Sequence, residues 1–248
     1  MNRVTVMVET IKRAGHSKSL KLVQKHNLRQ MHVYQSRTVR FDEDKSYENV
    51  ELVPLNKPSL PDVVFSIIEN LGIDYSKFKK NRGYASEFLF SVTAGYECNF
   101  VDFYNDCLNW LRTYHPECLI AHAIIHFDEA TPHMHVIVVP IVNGELQADK
   151  IKRYKGETRK RNKSLYEYLT PKYDLTSDEQ LKGAIKKVGA ELVIDEIVNK
   201  SIIDPENKIY PAVIQSIHSR PEVYMKQLGI GYDEIAKRLG NNSNINRR

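Results

Sequence analysis

Two apolar, β-prone runs, Leu119–Phe127 and His133–Val142, flank the short polar connection Asp128-Glu129-Ala130-Thr131-Pro132. Two such runs joined by a loop of about five residues read as an antiparallel hairpin. That pairing constrains the chain more than any other feature, because it fixes where three histidines go. Residues i and i+2 of a strand point to the same face, so His133 and His135 project side by side. His126 stands at the end of the preceding run, and hairpin pairing brings it next to them. Three imidazoles then converge on one spot of a sheet.

Imidazole is the commonest protein metal ligand. Three of them leave coordination positions open, as in a catalytic site; closed structural sites usually take four protein ligands, often cysteines. An open position accepts a phosphoryl oxygen and polarises it. Asp128 or Glu129 stands where it can be a fourth ligand or orient a ligand histidine. All-nitrogen ligation suits Zn, Mn, Fe, Co or Ni, and the residues do not choose among them. A single histidine is most often a core or surface residue. Three on two adjoining β-runs, with acids between them, point instead to a site. His122 shares the face of His126 but lies too far along the run to be a ligand.

Around this hairpin the pattern is that of an α+β domain, an antiparallel β-sheet with flanking helices, followed by a helical C-terminal part. Val4, Val6 and Val8 alternate as in a strand, and Ser17 or Ser19 caps a helix running to about Gln30. Asp42–Tyr47 reads as a loop, and so does the stretch punctuated by Pro54, Pro58 and Pro61. Asp62–Leu71 reads as a short helix ended by Gly72, and Glu87–Thr93 as a strand. Phe100–Tyr114 has helical spacing and is stopped by Pro116. Asn143-Gly144 is a tight turn into a short return strand, Glu145–Ala148. Helices are expected at Lys160–Leu169, Asp178–Lys200 and Pro221–Leu239, and a disordered polar tail after Gly240. The expected division is a principal domain over residues 1–200 and a helical extension over 201–248.

No run of eighteen or more apolar residues is present, so no membrane-spanning helix is expected. The start, Met1–Glu9, does not resemble a secretory signal. Cys98, Cys107 and Cys118 are an odd number without CxxC spacing, which argues against a disulfide framework and suits a reducing cytoplasm. There is no GxxxxGK[ST] loop and no GxSxG elbow, so P-loop and serine-hydrolase chemistry are unsupported. The net charge of +5 is modest, but its distribution is uneven. The first forty residues hold nine Lys or Arg against Glu9 alone, and Lys150–Lys163 holds eight against Glu157 alone. A third cluster is Lys77, Lys79, Lys80 and Arg82. Basic clusters of this kind bind phosphate backbones by releasing condensed counterions. Lys21, Lys25, Arg29, Arg82, Lys152 and Arg153 are the candidate DNA contacts, with a solvated surface as the bland alternative. On a helix His26 and Arg29 share a face, and Arg29 has the fork geometry to clamp a phosphate.

The segment His126-x-Asp128-Glu129-x-x-Pro132-His133-x-His135 resembles the metal motif of the Pre/Mob (MobV) plasmid mobilisation and recombination relaxases, within the HUH endonuclease superfamily. Val138-Val139-Pro140, Asn143-Gly144 and the N-terminal Lys25-His26-Asn27-Leu28-Arg29, similar to a KHNxR motif, resemble that family too. The resemblance covers roughly residues 1–150. It implies an enzyme that binds an origin-of-transfer hairpin and nicks one DNA strand, keeping the 5′-phosphate as a covalent adduct. It implies a divalent metal, Mn or Mg first and Zn, Co or Ni as alternatives, on His126, His133 and His135, with Glu129 as acidic partner and Arg29 beside the phosphate. By its place in the motif, His26 is implied as nucleophile, with Tyr34 and Tyr47 as rivals. Self-association stays open. Two other readings compete: a metal-dependent nuclease that activates water, and a DNA-binding replication or recombination factor without catalysis.

Overall fold

In the computed structural model, the residues described are 2–12, 19–30, 41–76, 78, 82–148, 151, 157–176, 178–199, 215 and 217–239. Tyr34, Lys77, Lys79, Lys80, Lys152, Arg153 and the tail after residue 239 lie outside them. The chain forms two compact units, Val4–Tyr173 and Met1–Arg3 with Asp174–Arg248.

The first unit is built on an antiparallel sheet of order β1-β3-β5-β4-β2. Its strands are β1 (Val4–Lys12), β2 (Val50–Val53), β3 (Gly83–Val92), β4 (Cys118–His126) and β5 (His133–Val142), with β6 (Glu145–Leu146) pairing with the end of β5. The hairpin of β4 and β5 has the expected register: His126 faces His133, and Ile124 faces His135. β3 lies on the other side of β5, pairing Leu89 with His135 and Ser91 with His133. It starts earlier than its apolar pattern suggests, because Ala85 and Ser86 pair with Ile11 and Thr10 of β1.

Alternation divides the sheet into two faces. Val6, Val8, Phe88, Phe90, Met134, Val136 and Ile125 are all buried on one. Helices α3 (Phe100–Tyr114) and α4 (Glu157–Leu169) cover it. Trp110 of α3 meets Phe90 edge-on, with ring centroids 6.0 Å apart, and its indole N–H donates to Ser164 of α4 at 3.1 Å. Asn162 of α4 accepts from the backbone N–H of Val6 at 2.7 Å, so α4 also protects the exposed edge of β1.

On the other face, α1 (Leu20–Asn27) and α2 (Leu60–Asn70) cover only part of the sheet. Leu20, Val23, Leu60, Val64 and Ile68 pack with Ile11, Ala85, Ala121, Ile137 and Val139. Both helices have serine caps: Ser19 accepts from the Leu22 N–H and Ser59 from the Asp62 N–H. The buried His126 and His135 lie on this same face.

Some elements depart from the sequence expectation. Residues 42–47 are not a loop: Glu43–Glu48 is a 3₁₀ helix capped by Asp42. β2 follows it as an edge strand that the sequence pattern misses, its four residues too short and too mixed to alternate visibly. The first helix ends at Asn27 rather than Gln30, because Arg29 takes a positive φ of 52° and turns the chain.

The second unit contains α5 (Asp178–Asn199), α6 (Pro221–Leu228) and α7 (Tyr232–Arg238). The expected single helix Pro221–Leu239 is broken at Gly229, which adopts the left-handed φ of 71°. Gly189 in α5 lets Met225 approach: a Cβ there would stand 3.0 Å from its sulfur. No helix among the described residues is long and apolar enough to cross a membrane.

Candidate metal centre

The hairpin register puts His126, His133 and His135 on one face, and their rings converge. Centroids are 5.2 Å apart for His126–His133, 4.8 Å for His126–His135 and 5.0 Å for His133–His135. Each ring is held through one nitrogen. His126 Nε2 is 3.0 Å from the Asn27 carbonyl oxygen, His133 Nδ1 is 2.9 Å from that of Thr131, and His135 Nδ1 is 2.8 Å from Glu87 Oε1.

All three partners are acceptors, so each tethered nitrogen carries the proton and the other carries the lone pair. The lone pairs therefore sit on His126 Nδ1, His133 Nε2 and His135 Nε2. Two of these, His126 Nδ1 and His135 Nε2, are buried with no hydrogen-bond partner. Orphaned buried acceptors are costly unless something occupies them. The state fits as well: burial first, and then the neighbouring His135, push both His126 and His133 toward the neutral form that binds metals.

The carboxylates of the intervening loop play separate parts. Glu129 stands 3.9 Å from His126 Nδ1 and 3.8 Å from His133 Nε2, ready to join the donor set. His126, Glu129 and His133 form one potential ligand group, and His26, His126 and His135 an overlapping one. Asp128 turns the other way, with its side chain fully buried. It accepts from Arg29 Nε, Ser46 Oγ and Asn49 Nδ2, all at 2.8 Å. Burial works to raise its carboxyl, and those hydrogen bonds outweigh burial and hold it below the usual range. Tyr104 Oη donates to the Pro132 carbonyl at 2.7 Å and pins the far end of the loop.

His26 comes from the last turn of α1. Its ring lies 5.5 Å from that of His126 and 5.1 Å from that of His135. The two elements are locked together: Asn27, next in the chain, gives His126 its carbonyl, one of the groups a helix C-terminus leaves without an internal partner. Burial first, then the neighbouring His135 and Arg29, lower the His26 pKa to about 4. At neutral pH its imidazole is uncharged. No hydrogen bond holds its ring among the described residues.

Arg29 does not share a helical face with His26, since the helix has ended. Its guanidinium donates instead to Asp128 and, from Nη2, to Glu129 at 2.8 Å, and it lies over the Phe41 ring. Lys21 and Lys25 are exposed along α1. Arg82 donates to the Leu146 carbonyl at 2.8 Å and stacks over Phe78. Tyr47 is 82% exposed and makes no ring contact with the histidines among the described residues. His122 pairs with Glu51 rather than joining the cluster. Glu87, Ser46 and Asn49 had no assigned role in the sequence. The one signal was Glu87 itself, an acid heading an otherwise apolar strand.

A family model described as plasmid recombination enzyme (Mob_Pre) matches residues 1–181, which contain the whole first unit. The chain belongs to the Mob_Pre family. A Mob_Pre relative from a Bacillus species, a plasmid recombination enzyme, is 30% identical over 145 residues, 54% of this chain and 33% of its own length. A plasmid recombination enzyme type 3 from Staphylococcus aureus is 28% identical over 139 residues, 52% of this chain and 32% of its own. The chain thus spans about a third of the length of these curated relatives. Among solved structures, a Mn-bound MobM relaxase domain in complex with plasmid oriT DNA superposes with a TM-score of 0.59. It is 20% identical, and the match covers 72% of this chain and 91% of that one. A second MobM complex, whose DNA carries a 3′-thiophosphate, gives 0.56 at 20% identity, covering 73% and 97%. The α+β arrangement described above is thus shared with these relaxase domains.

Proposed function

We propose that this Mob_Pre protein is a metal-dependent relaxase that nicks one DNA strand at a plasmid origin of transfer and keeps the 5′ end as a covalent adduct. The observation that carries the proposal is the set of three tautomer-fixed imidazoles, which with Glu129 and a neutral fourth histidine form two overlapping potential ligand groups that share His126.

His126, His133 and His135 would hold a divalent cation, with Glu129 beside them. Mn is the first choice, Mg the second, and Zn, Co or Ni suit the nitrogen donors as well. When bound, the ion supplies a Lewis acid for the non-bridging oxygens of the scissile phosphate. His26 is the nucleophile. Being neutral, its imidazole attacks without first losing a proton, unlike a tyrosine with a free pKa of about 10. Its nitrogen lone pair forms the bond to phosphorus, the P–O3′ bond breaks, and the 3′-oxygen leaves and is protonated from water, while the imidazolium N–H formed on His26 gives its proton up to solvent. The resulting phosphoramidate conserves the bond energy needed for rejoining. Arg29 fixes Glu129 and Asp128 and so holds the loop in place. Lys21 and Lys25 flank His26 as contacts for the DNA backbone, with Arg82, Lys152 and Arg153 as further candidates. The partner is origin DNA, as hairpin and single strand. The free thiols of Cys98, Cys107 and Cys118 suit action in a reducing cytoplasm.

The test is incubation with Mn and supercoiled DNA bearing the candidate origin of its own plasmid. The expected result is an open circle with protein covalently attached, lost with chelator and in His135→Ala. Nicking without attached protein would replace the relaxase with a nuclease that activates water. Binding without nicking would replace it with a non-catalytic DNA-binding factor.

A further inference from the structure

The open part of the histidine face carries an apolar patch that the proposed chemistry does not use. Met7, on β1, is 53% exposed although it lies in the middle of a strand. It pairs with Leu89 of β3, which is half-buried, and Leu89 pairs with His135 of β5. Residues directly opposite one another share a face, so Met7, Leu89 and His135 form one row across three strands. The parallel row is Thr5, Ser91 and His133, with the Thr5 and Ser91 hydroxyls hydrogen-bonded at 2.9 Å. Strand spacing puts Met7 two strands, on the order of 10 Å, from His135. The patch is continuous with the metal centre and bordered by hydroxyls.

We infer that Met7 and Leu89 form a platform for one unpaired nucleobase, that of the nucleotide flanking the phosphate held at the histidine centre. This rests on the relaxase reading and extends it to a subsite. A duplex cannot lay one base on a sheet, so the platform takes single-stranded DNA. A thioether is polarisable and flexible, and it suits the face of any base without demanding one hydrogen-bonding pattern. The hydroxyl pair then faces the edge of the base or its sugar. The platform fixes which phosphodiester lies over the histidines, because a seated base sets the register of its neighbour.

The probes are two thymidine tetranucleotides, one with a 5′-phosphate and one with a 3′-phosphate, each also made with its phosphate-bearing terminal nucleotide abasic. Affinities are measured in Mn for the wild type, Met7→Thr, Met7→Leu and Leu89→Thr. In one of the two series, base removal should weaken wild-type binding about fivefold. The penalty should disappear in Met7→Thr and Leu89→Thr and return in Met7→Leu. Met7 is exposed, so its variants leave the fold intact, and the salt dependence of binding, which reports phosphate contacts, should not change. If the abasic penalty is equal in all four proteins while His135→Ala abolishes binding, the platform is wrong and the centre stands. If His135→Ala leaves binding unchanged, the centre does not hold the phosphate, and both readings fall together.

Discussion

The two faces of the central sheet are built to different ends. One is covered along its length by α3 and α4 and filled with aromatic rings, Phe88, Phe90, Phe103 and Trp110, all buried. Among the described residues, the other is covered in part by α1 and α2, and beside them it carries individually tethered polar groups and the exposed Met7. On the closed face, side chains are held by packing, whose energy scales with buried area and tolerates repacking. On the other face, His126, His133 and His135 are each held by one hydrogen bond in one tautomer, so function there depends on geometry. The same sheet thus separates stability from chemistry, and substitutions on the two faces should separate them too.

The largest effect is expected on the histidine face. His135→Ala should reduce Mn-dependent cleavage by on the order of a thousandfold, as losing a centre that stabilises developing charge does. Its thermal midpoint without metal should fall by only a few degrees, since an orphaned acceptor is removed while the buried Glu87 loses its contact with His135. A large fall in the midpoint would mean that the two faces are not separable. On the closed face, Phe90→Ala should cost about 3–5 kcal/mol in denaturant unfolding. The fraction still folded should bind Mn with wild-type affinity. A weaker Mn affinity there would show that packing and site geometry are coupled across the sheet.

Glu87→Gln probes the tether itself. It keeps the size and removes the carboxylate that His135 Nδ1 faces at 2.8 Å. Mn affinity, read by calorimetry, should fall by about 10–100-fold, the usual effect of removing an outer carboxylate, with stability little changed. The smallest effect concerns Asp106 of α3, which accepts from Lys172 and Tyr173, both at 2.8 Å. Burial works to raise its pKa, and the two hydrogen bonds outweigh burial and depress it. A depressed carboxyl adds stability that is present above its unfolded pKa and lost as pH falls through the folded value. The difference between wild type and Asp106→Asn should therefore be visible at neutral pH and vanish in acid. A difference that persists in acid would assign the residue a packing role instead.

What the sequence disclosed follows the same division. The hairpin and its three histidines were legible because they depend on short-range alternation and one tight connection. α3 was legible from its apolar spacing and from Pro116 after its end, and the structure adds the Asn99 cap at its start. The distant groups that hold the histidines and their loop were not. Glu87 is 48 residues from His135, and Ser46 and Asn49 are about 80 from Asp128. Only the folded sheet and the 3₁₀ helix bring them together. Arg29 misled for a related reason. Its spacing from His26 suits a helix face, but pairing with Asp128 and Glu129 across 99 and 100 residues accompanies a left-handed backbone that ends the helix first. β2 is a strand because β4 offers it an edge, not because Val-Glu-Leu-Val requires one.

The most direct test of the central claim is to form the adduct with Mn and origin DNA, trim the DNA with nuclease, and map the modified peptide by mass spectrometry. The account predicts a nucleotide on the α1 peptide at His26, acid-labile as a phosphoramidate is, and absent in His26→Ala. An acid-stable adduct on Tyr34 or Tyr47, or undiminished adduct in His26→Ala, would contradict it.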